Sequence, residues 1–261
     1  GFSANAILAE EIGEEWVKVR LPLSEFEWEA VNGANPSNIK QFIIQFEADG
    51  DIYVDDIKIV EFNGSYRKRA TVNLVEKSAI SIDGEIEKAW GKPAVELNNQ
   101  KVYMHTDNEF LYVATAFVDQ SPLQNSNDNG SIWNGDALEI AFSSAAIQGK
   151  PSPYLKSINH HFGIRLNGEP IIWDWQKQKE IDCESKITSN GNNVFYETKI
   201  PLAHFGDFNF AHGQVYGFEV AIDQGNKKGR ETQMRWNSSS NDGFHQNPTL
   251  WGEMIINQVI N

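Results

Sequence analysis

Short runs in which apolar and polar residues alternate recur along the chain and constrain its fold more than any other feature. Successive side chains of a β-strand point to opposite faces, so this alternation is typical of strands with one buried face. Gly, Asn, Asp and Pro separate the runs. Many strands at short spacing predict an all-β fold, an antiparallel β-sandwich of jelly-roll type. The clearest runs after residue 72 are Lys101–His105, Phe110–Phe117, Ala137–Phe142, Phe162–Leu166, Val194–Ile200, Val215–Ile222, Gln233–Trp236 and Glu253–Ile256.

The first sixty residues carry three further runs, Trp16–Leu21, Ile39–Phe46 and Ile52–Val60. Three strands are too few to close a sandwich, which usually needs about seven. The polar, basic stretch Asn63–Thr71 has no period and indicates a linker. We therefore expect an additional N-terminal β segment at residues 1–62, a linker at 63–71 and the β-sandwich at 72–261.

The N-terminal segment resembles the last strands of a galactose-binding-like jelly roll. The resemblance is carried by Trp16, Pro22-Leu23-Ser24, Phe26 and Val54–Ile57. It implies that this segment is the tail of such a domain, and the alternative is a small sheet that accompanies the second domain.

Charge and cysteine content exclude several functions. The chain has 22 basic and 36 acidic residues, a formal net charge of −14. This charge repels phosphate backbones, so we expect no nucleic-acid partner, whereas neutral sugars and Ca²⁺ remain compatible. The single cysteine, Cys183, excludes an intrachain disulfide and a cysteine-based zinc site. The apolar runs have strand length, so we expect no membrane insertion.

A series of motifs after residue 80 occurs in a fixed order that resembles family 9 carbohydrate-binding modules. The motifs are Ile82–Glu85, Ala89-Trp90, Val102–Val113, Trp133–Ile140, Phe162–Arg165, Phe195–Pro201, Gly217–Val220, Trp236 and Pro248–Met254. The resemblance implies a non-catalytic domain that binds oligo- or polysaccharides. It further implies a secreted or cell-surface bacterial protein, in which the domain targets its parent, for example a glycoside hydrolase with other domains, to a polysaccharide.

The side chains that would bind a sugar follow from strand parity. Trp133 and Glu139 share one face of an extended segment, and Leu138 and Ile140 share the other. Since the apolar pair must face the core, Glu139 faces away from it on the side of Trp133. An aromatic plate beside charged groups suits the apolar faces and hydroxyls of a sugar ring. The alternative is a solvated sheet face with a cross-strand ion pair.

The same parity test places His161 and Arg165 on the polar face of the next strand. The family resemblance implies that Trp133, Glu139 and Arg165 contact the sugar.

The second aromatic position of the family differs in this chain. The resemblance implies a tryptophan shortly before Pro248, where the sequence has His245, with Asp242 and Phe244 close by. We expect Asp242, Phe244 and His245 to complete the site, with one of the two rings as the second plate. The alternatives are that the loss of the tryptophan weakens binding or abolishes it. The family also has an amide where this chain has Ala221.

Trp173 and Trp175 are further candidates, but a change of one residue in register would move both between core and solvent.

A polar loop next to Trp133 is a candidate Ca²⁺ site. Asp119, Asn127, Asp128 and Asp136 supply the oxygen ligands that Ca²⁺ prefers. The resemblance also implies a structural calcium ion, and the alternative is that these residues are solvated turn residues.

Two other functional classes, a glycoside hydrolase and a haem-binding domain, fit the sequence less well. Glycoside hydrolysis needs two carboxylates across a cleft, and Asp136 and Glu139 have opposite parity on one strand. With no nucleophile motif in addition, we predict that the chain is not an enzyme. A haem-binding domain of the same broad superfamily would need Met and Lys or His ligands, yet Met104 and His105 are adjacent and diverge. A spacer or interaction module is the remaining alternative.

Overall fold

The computed structural model describes residue 43, residues 53–55, residue 57 and residues 68–118, 125–144, 159–167, 169–206, 208–238 and 243–258. Internal contacts divide the chain into two units, Gly1–Phe62 and Asn63–Asn261. Of the strands predicted in the first unit, the structure describes residues 43, 53–55 and 57, which are in no strand, and the rest lies outside the described residues. The predicted site residues Asp119 and Asp242 also lie outside the described residues.

The second unit consists of β-strands and short 3₁₀ turns in its described part. The strands are β1 Arg69–Leu74, β2 Val95–Leu97, β3 Gln100–Thr106, β4 Phe110–Val118, β5 Ala137–Ser143, β6 Asn159–Arg165, β7 Ile172–Asp174, β8 Lys179–Glu180, β9 Glu184–Asn190, β10 Asn193–Pro201, β11 Val215–Asn226, β12 Gly229–Arg235 and β13 Gly252–Gln258. The 3₁₀ turns are Lys88–Trp90, Asn129–Ser131, Leu202–Phe205, Phe244–Gln246 and Pro248–Leu250. In this part no helix is long and apolar enough to cross a membrane.

The strands form one continuous sheet that curls on itself. Their order is β8-β7-β6-β5-β11-β13-β1-β3-β4-β10-β9, with β12 paired to β11 and β2 to β3. Among the described pairings, β1 pairs in parallel with β13 and β3, and the others are antiparallel. The two arms of the sheet pack face to face, which confirms the predicted antiparallel β-sandwich.

Strand β1 begins earlier than the sequence indicated. Residues 69–71 were predicted as the end of the linker but lie in β1, where Ala70 and Val72 are buried. The basic residues before Ala70 hide the alternation in the sequence. One of them, Arg69, contacts the Glu253 carboxylate at 3.4 Å, so its charge is used within the sheet.

The main core fills the space between the two arms. One arm contributes Leu138, Ile140, Phe162 and Phe218, and the other contributes Val102, Met104, Leu111 and Tyr196 among others. Each of these large side chains is almost fully buried, which stabilises the fold by about 1.5–3 kcal/mol per side chain. The core therefore fixes which face of β5, β6 and β11 points away from the protein interior.

A smaller cluster covers the outer face of β3 and β4. It contains Ile80, Trp90, Tyr103 and Tyr112. The His105 ring lies 5.6 Å from the Trp90 ring on this side, whereas Met104 packs in the main core. The side chains of Met104 and His105 thus diverge, as the strand parity predicts.

The opening motif of the second unit is held by one buried carboxylate. Glu197 Oε2 accepts hydrogen bonds from the backbone N–H groups of Asp83 and Gly84 at 2.9 and 2.6 Å, and Oε1 accepts from Trp90 Nε1 at 2.8 Å. Gly84 has a φ of +94°, and a Cβ there would come within 2.4 Å of Thr188. These motif residues are therefore structural.

Candidate carbohydrate-binding face

Glu139 lies on the face of β5 that is opposite the main core, as parity predicts. Its register neighbours are Gly163 on β6 and Ala221 on β11, both small residues. The side chain is nevertheless only 3% exposed, because residues of β6 and β12 cover it. We call this surface of β5, β6, β11 and β12 the polar face. The alternating pattern predicted the direction of the Glu139 side chain correctly, but it did not predict that the side chain is buried.

Two neutral side chains bind the Glu139 carboxylate. The His161 Nε2 atom lies 2.8 Å from Oε2, and the Gln233 Nε2 atom lies 2.9 Å from Oε1. Burial lowers the pKa of His161 to about 3, which outweighs the attraction of nearby carboxylates. His161 is therefore neutral at physiological pH and donates its Nε2 proton to Glu139.

A second carboxyl group, Asp223, adjoins Glu139 on the polar face. Gln233 Nε2 also donates to Asp223 Oδ1, at 2.8 Å, and Arg230 Nη1 lies 3.1 Å from that oxygen and 3.8 Å from Glu139 Oε1. Burial raises the pKa of both carboxyl groups, and repulsion by Glu139 raises that of Asp223 further. The two groups form a carboxyl pair that holds a proton to higher pH than isolated side chains do, because protonation relieves their repulsion.

Three residues of the polar face were not predicted as site residues: Asp223, Arg230 and Gln233. Counted from the inward-facing Val220 and Ile222, strand parity places Asp223 on the opposite, outward face of β11. Arg230 and Gln233 lie on β12, which pairs with β11 and brings its side chains over the carboxyl pair. The signal available in the sequence was weak, since a polar strand such as G-R-E-T-Q-M-R equally fits a solvated edge.

Trp133 lies at the edge of the polar face in the turn that leads into β5. The preceding residue, Ile132, is fully buried and anchors this turn, whereas 40% of Trp133 is exposed. The Arg230 guanidinium lies over the Trp133 ring, with its carbon 4.8 Å from the ring centroid. This cation–π contact holds an exposed aromatic plate next to the carboxyl pair.

Trp175 provides a second, half-buried ring on the same face. It stacks on His161 with ring centroids 4.4 Å apart, and its Nε1 donates to the Gly130 carbonyl at 3.0 Å. A Cβ at Gly163 would come within 2.3 Å of the Trp175 ring, so this close approach requires glycine at 163. Trp173 and Trp175 share a face, as predicted, and both remain partly exposed.

The two rings predicted for the second plate differ in exposure. Phe244 is 2% exposed, and the Arg235 guanidinium lies 4.7 Å from its ring centroid. His245 is exposed, and its ring centroid lies 6.3 Å from that of His161. Phe244 thus supports the polar face from below, contrary to a role as an exposed plate, and His245 is the ring that faces solvent.

Arg165 lies at the end of β6 and binds the neighbouring loops. Its guanidinium donates to Asp128 Oδ1, to the Glu169 carbonyl at 2.9 Å and to the Asn127 carbonyl at 3.2 Å. These protein oxygens engage donors of Arg165, and its sugar contact stays a prediction. Parity alone could not reveal that the 125–134 loop passes beside the end of β6.

The described members of the predicted Ca²⁺ site bind protein groups. Asp128 pairs with Arg165, Asp136 Oδ1 accepts the Gly225 N–H at 2.6 Å, and the Asn127 amide donates to the Asn134 carbonyl at 2.7 Å. Within the described part of the chain, no group of three or more His, Cys, Asp or Glu residues is placed to hold a metal ion. Calcium binding stays a prediction.

The comparisons with known proteins agree with this fold. The profile of the family described as "Carbohydrate family 9 binding domain-like" matches residues 82–259. A family 9 carbohydrate-binding module from Caldicellulosiruptor kristjanssonii, solved with glucose, is 20% identical and has a TM-score of 0.55, over 74% of this chain and 98% of its own. Its complex with cellotriose gives 21% identity and the same TM-score, over 74% and 96% of the two chains.

A third solved structure, described as a candidate carbohydrate-binding protein of Bacteroides uniformis, is 12% identical with a TM-score of 0.53 over 73% of this chain and all of its own. At these identities the structural matches show the fold alone. Curated proteins give no significant match. Because its profile covers more than half of the chain, this protein belongs to the carbohydrate family 9 binding domain-like family.

Proposed function

We propose that this chain is a non-catalytic module that binds a saccharide on its polar face. The observation that carries the proposal is the exposed Trp133 ring held beside a buried carboxyl pair. An aromatic plate binds the apolar face of a sugar ring, and carboxyl, amide and guanidinium groups bind its hydroxyls. Membership of a family of carbohydrate-binding domains supports the same conclusion.

The polar face offers both hydrogen-bond donors and acceptors next to the ring. Arg230 and Gln233 carry N–H groups, and Glu139 and Asp223 carry carboxyl oxygens. In the absence of a ligand these side chains bind one another. A sugar hydroxyl that enters would replace some of these hydrogen bonds with hydrogen bonds of the same kind. This exchange replaces the hydrogen bonds that the entering hydroxyl breaks, which lowers the cost of ligand entry.

Glucose and cellotriose are the first ligands to test, since related structures contain them. We further propose that the chain acts outside the cell, secreted or at a bacterial surface, where it targets a larger parent protein to a polysaccharide. That parent could be a glycoside hydrolase.

Calorimetric titration with glucose, cellotriose and xylotriose tests the binding proposal. We expect at least one of them to bind, and Trp133→Ala to weaken binding by about 1–3 kcal/mol, as ring-stacking contacts do elsewhere. Val215→Ala is the matched control, because Val215 has the same 40% exposure and lies at the opposite end of β11 from Asp223. Equal affinity of both variants would place the ligand elsewhere, and a lack of binding by any sugar would favour the spacer module.

A further inference from the structure

A polar cavity of about 470 Å³ lies beside the polar face. Its lining residues are mostly asparagines and lysines, namely Asn125, Ser126, Asn127, Asn134, Asn167, Asn226, Lys227, Lys228 and Gly229. One wall is the loop that precedes β5, and the other is the turn between β11 and β12. A Cβ on Gly229 would come within 2.6 Å of Asn134 Oδ1, so the two walls touch at this point.

Two of the lining asparagines, Asn134 and Asn226, present amide donors to the cavity, because backbone N–H groups occupy their side-chain oxygens. Asn134 Oδ1 accepts from the Arg230 N–H at 3.0 Å, and Asn226 Oδ1 accepts from the Lys228 N–H at 2.8 Å. These hydrogen bonds engage the oxygen of each amide, so the Nδ2 group is the part of the amide that can bind a ligand. Among the described residues, neither Nδ2 atom has an acceptor.

Two adjacent ammonium groups add positive charge to this wall. Lys227 and Lys228 are exposed, and neither forms an ion pair with any residue the structure describes. They are placed together in a chain whose formal net charge is −14. A donor-rich wall with two cations recognises an anionic group through charge-assisted hydrogen bonds.

The cavity and the polar face adjoin at two dipeptides. Trp133 and Arg230 lie on the polar face, and their neighbours Asn134 and Gly229 line the cavity. The cavity therefore begins one residue from the Trp133 ring, on the same turn. Its volume lies within the range of about 300–1,000 Å³ that is typical of small-molecule sites.

We propose that this cavity is a second subsite, which binds an anionic sugar unit that carries a carboxylate or a sulfate ester. The inference rests on the proposed function in that the same saccharide would extend onto the polar face. The chain would then prefer acidic polysaccharides, with Lys227, Lys228, Asn134 and Asn226 as the residues that set this preference.

Nuclear magnetic resonance titration of ¹⁵N-labelled protein tests the inference with three separate probes: glucose, glucuronate and inorganic sulfate. We expect glucuronate to shift the backbone amides of residues 226–229, and glucose to leave them unchanged. In the double variant Lys227→Gln/Lys228→Gln, binding of the anion should weaken about tenfold or more, since charged hydrogen bonds contribute about 1.5–3 kcal/mol.

Lys88→Gln/Lys92→Gln is the matched control, since it removes two exposed lysines elsewhere and changes the net charge equally. Equal shifts by glucuronate and sulfate would assign the site to oxyanions in general, sulfate esters included. Shifts by glucose equal to those by glucuronate, an unchanged affinity in the double variant, or no shift by either anion would overturn the proposal.

Titrations with glucose and cellotriose test the proposed function separately. Their readout is the signal of the Trp133 indole. If that signal stays unchanged while residues 226–229 respond to the anion, the polar-face proposal fails and the anionic subsite stands.

Discussion

Glu197 on β10 and Glu139 on β5 are two carboxylates with the same burial and different partners. Glu197 is 0% exposed and Glu139 is 3% exposed. Two backbone N–H groups and the indole of Trp90 bind Glu197. Glu139 is bound instead by the side chains of His161 and Gln233.

Burial alone therefore does not distinguish a structural carboxylate from one that can bind a ligand. Backbone donors are fixed by the fold, so Glu197 cannot exchange them for a ligand. The Gln233 side chain is partly exposed and can rotate, so Glu139 can exchange this donor for a sugar hydroxyl without leaving a buried charge unsatisfied. The kind of partner, more than exposure, indicates where a ligand can enter this sandwich.

The largest effect is expected for Glu197→Gln. The amide replaces an acceptor of three hydrogen bonds with a group that carries two donors of its own, so donors meet donors in a buried site. We expect the free energy of unfolding to fall by about 3 kcal/mol. Urea denaturation measures this value, and a loss below about 1 kcal/mol would remove the distinction between the two carboxylates.

Glu139→Gln, the same chemical change on the polar face, should affect binding more than folding. The amide removes the repulsion with Asp223 but gives weaker hydrogen bonds to sugar hydroxyls. We expect saccharide affinity to fall by about 1–3 kcal/mol and unfolding free energy to change by less than about 1 kcal/mol. Calorimetric titration with urea denaturation of the same samples checks both values, and unchanged affinity with lost stability would make Glu139 structural too.

A smaller, pH-dependent effect is expected for Asp223→Asn. The raised pKa of Asp223 means that the native state holds this proton more tightly than the unfolded chain. The stabilisation that this proton adds to the native state is therefore complete below the ordinary pKa of an aspartate. It is lost as pH rises through the raised pKa of Asp223. The asparagine cannot lose this proton, so the variant should gain melting temperature relative to wild type as pH rises from 5 to 8. A difference that stays constant over this range would mean that the pair holds no proton.

The smallest effect is expected for calcium. Asp128 and Asp136 already bind protein donors, so an ion at this loop would compete with existing contacts. We predict that a chelator lowers the melting temperature slightly and that added Ca²⁺ restores it, by mass action on the native state. An unchanged melting curve would remove calcium from the description of the loop.

Sequence patterns predicted the main strands because alternation records which face is buried. They did not reveal β9, whose seven residues E-S-K-I-T-S-N contain one large apolar side chain, or the short strands β2, β7 and β8. Strand β6 also begins at Asn159, three residues before the predicted run, because His160 and His161 are buried polar residues.

The candidate site was predicted in part for a related reason. Parity gives the direction of a side chain on its own strand, so Glu139 and His161 were placed correctly. Cross-strand neighbours decide what that side chain meets, and the pairing of β12 with β11 is not encoded in either strand alone. The partners Arg230 and Gln233, and the use of Arg165 within a loop, therefore required the structure.

The parallel pairing of β1 with β13 has a mechanical consequence. Six residue pairs join these strands, from Arg69 with Glu253 to Leu74 with Gln258. Because the strands run in the same direction, a pulling force applied at residues 68 and 258 acts along the ladder and loads its hydrogen bonds together. An antiparallel pair that is pulled from one end would instead open one bond at a time. A module with this geometry is suited to carry tension between a surface and the chain attached to it.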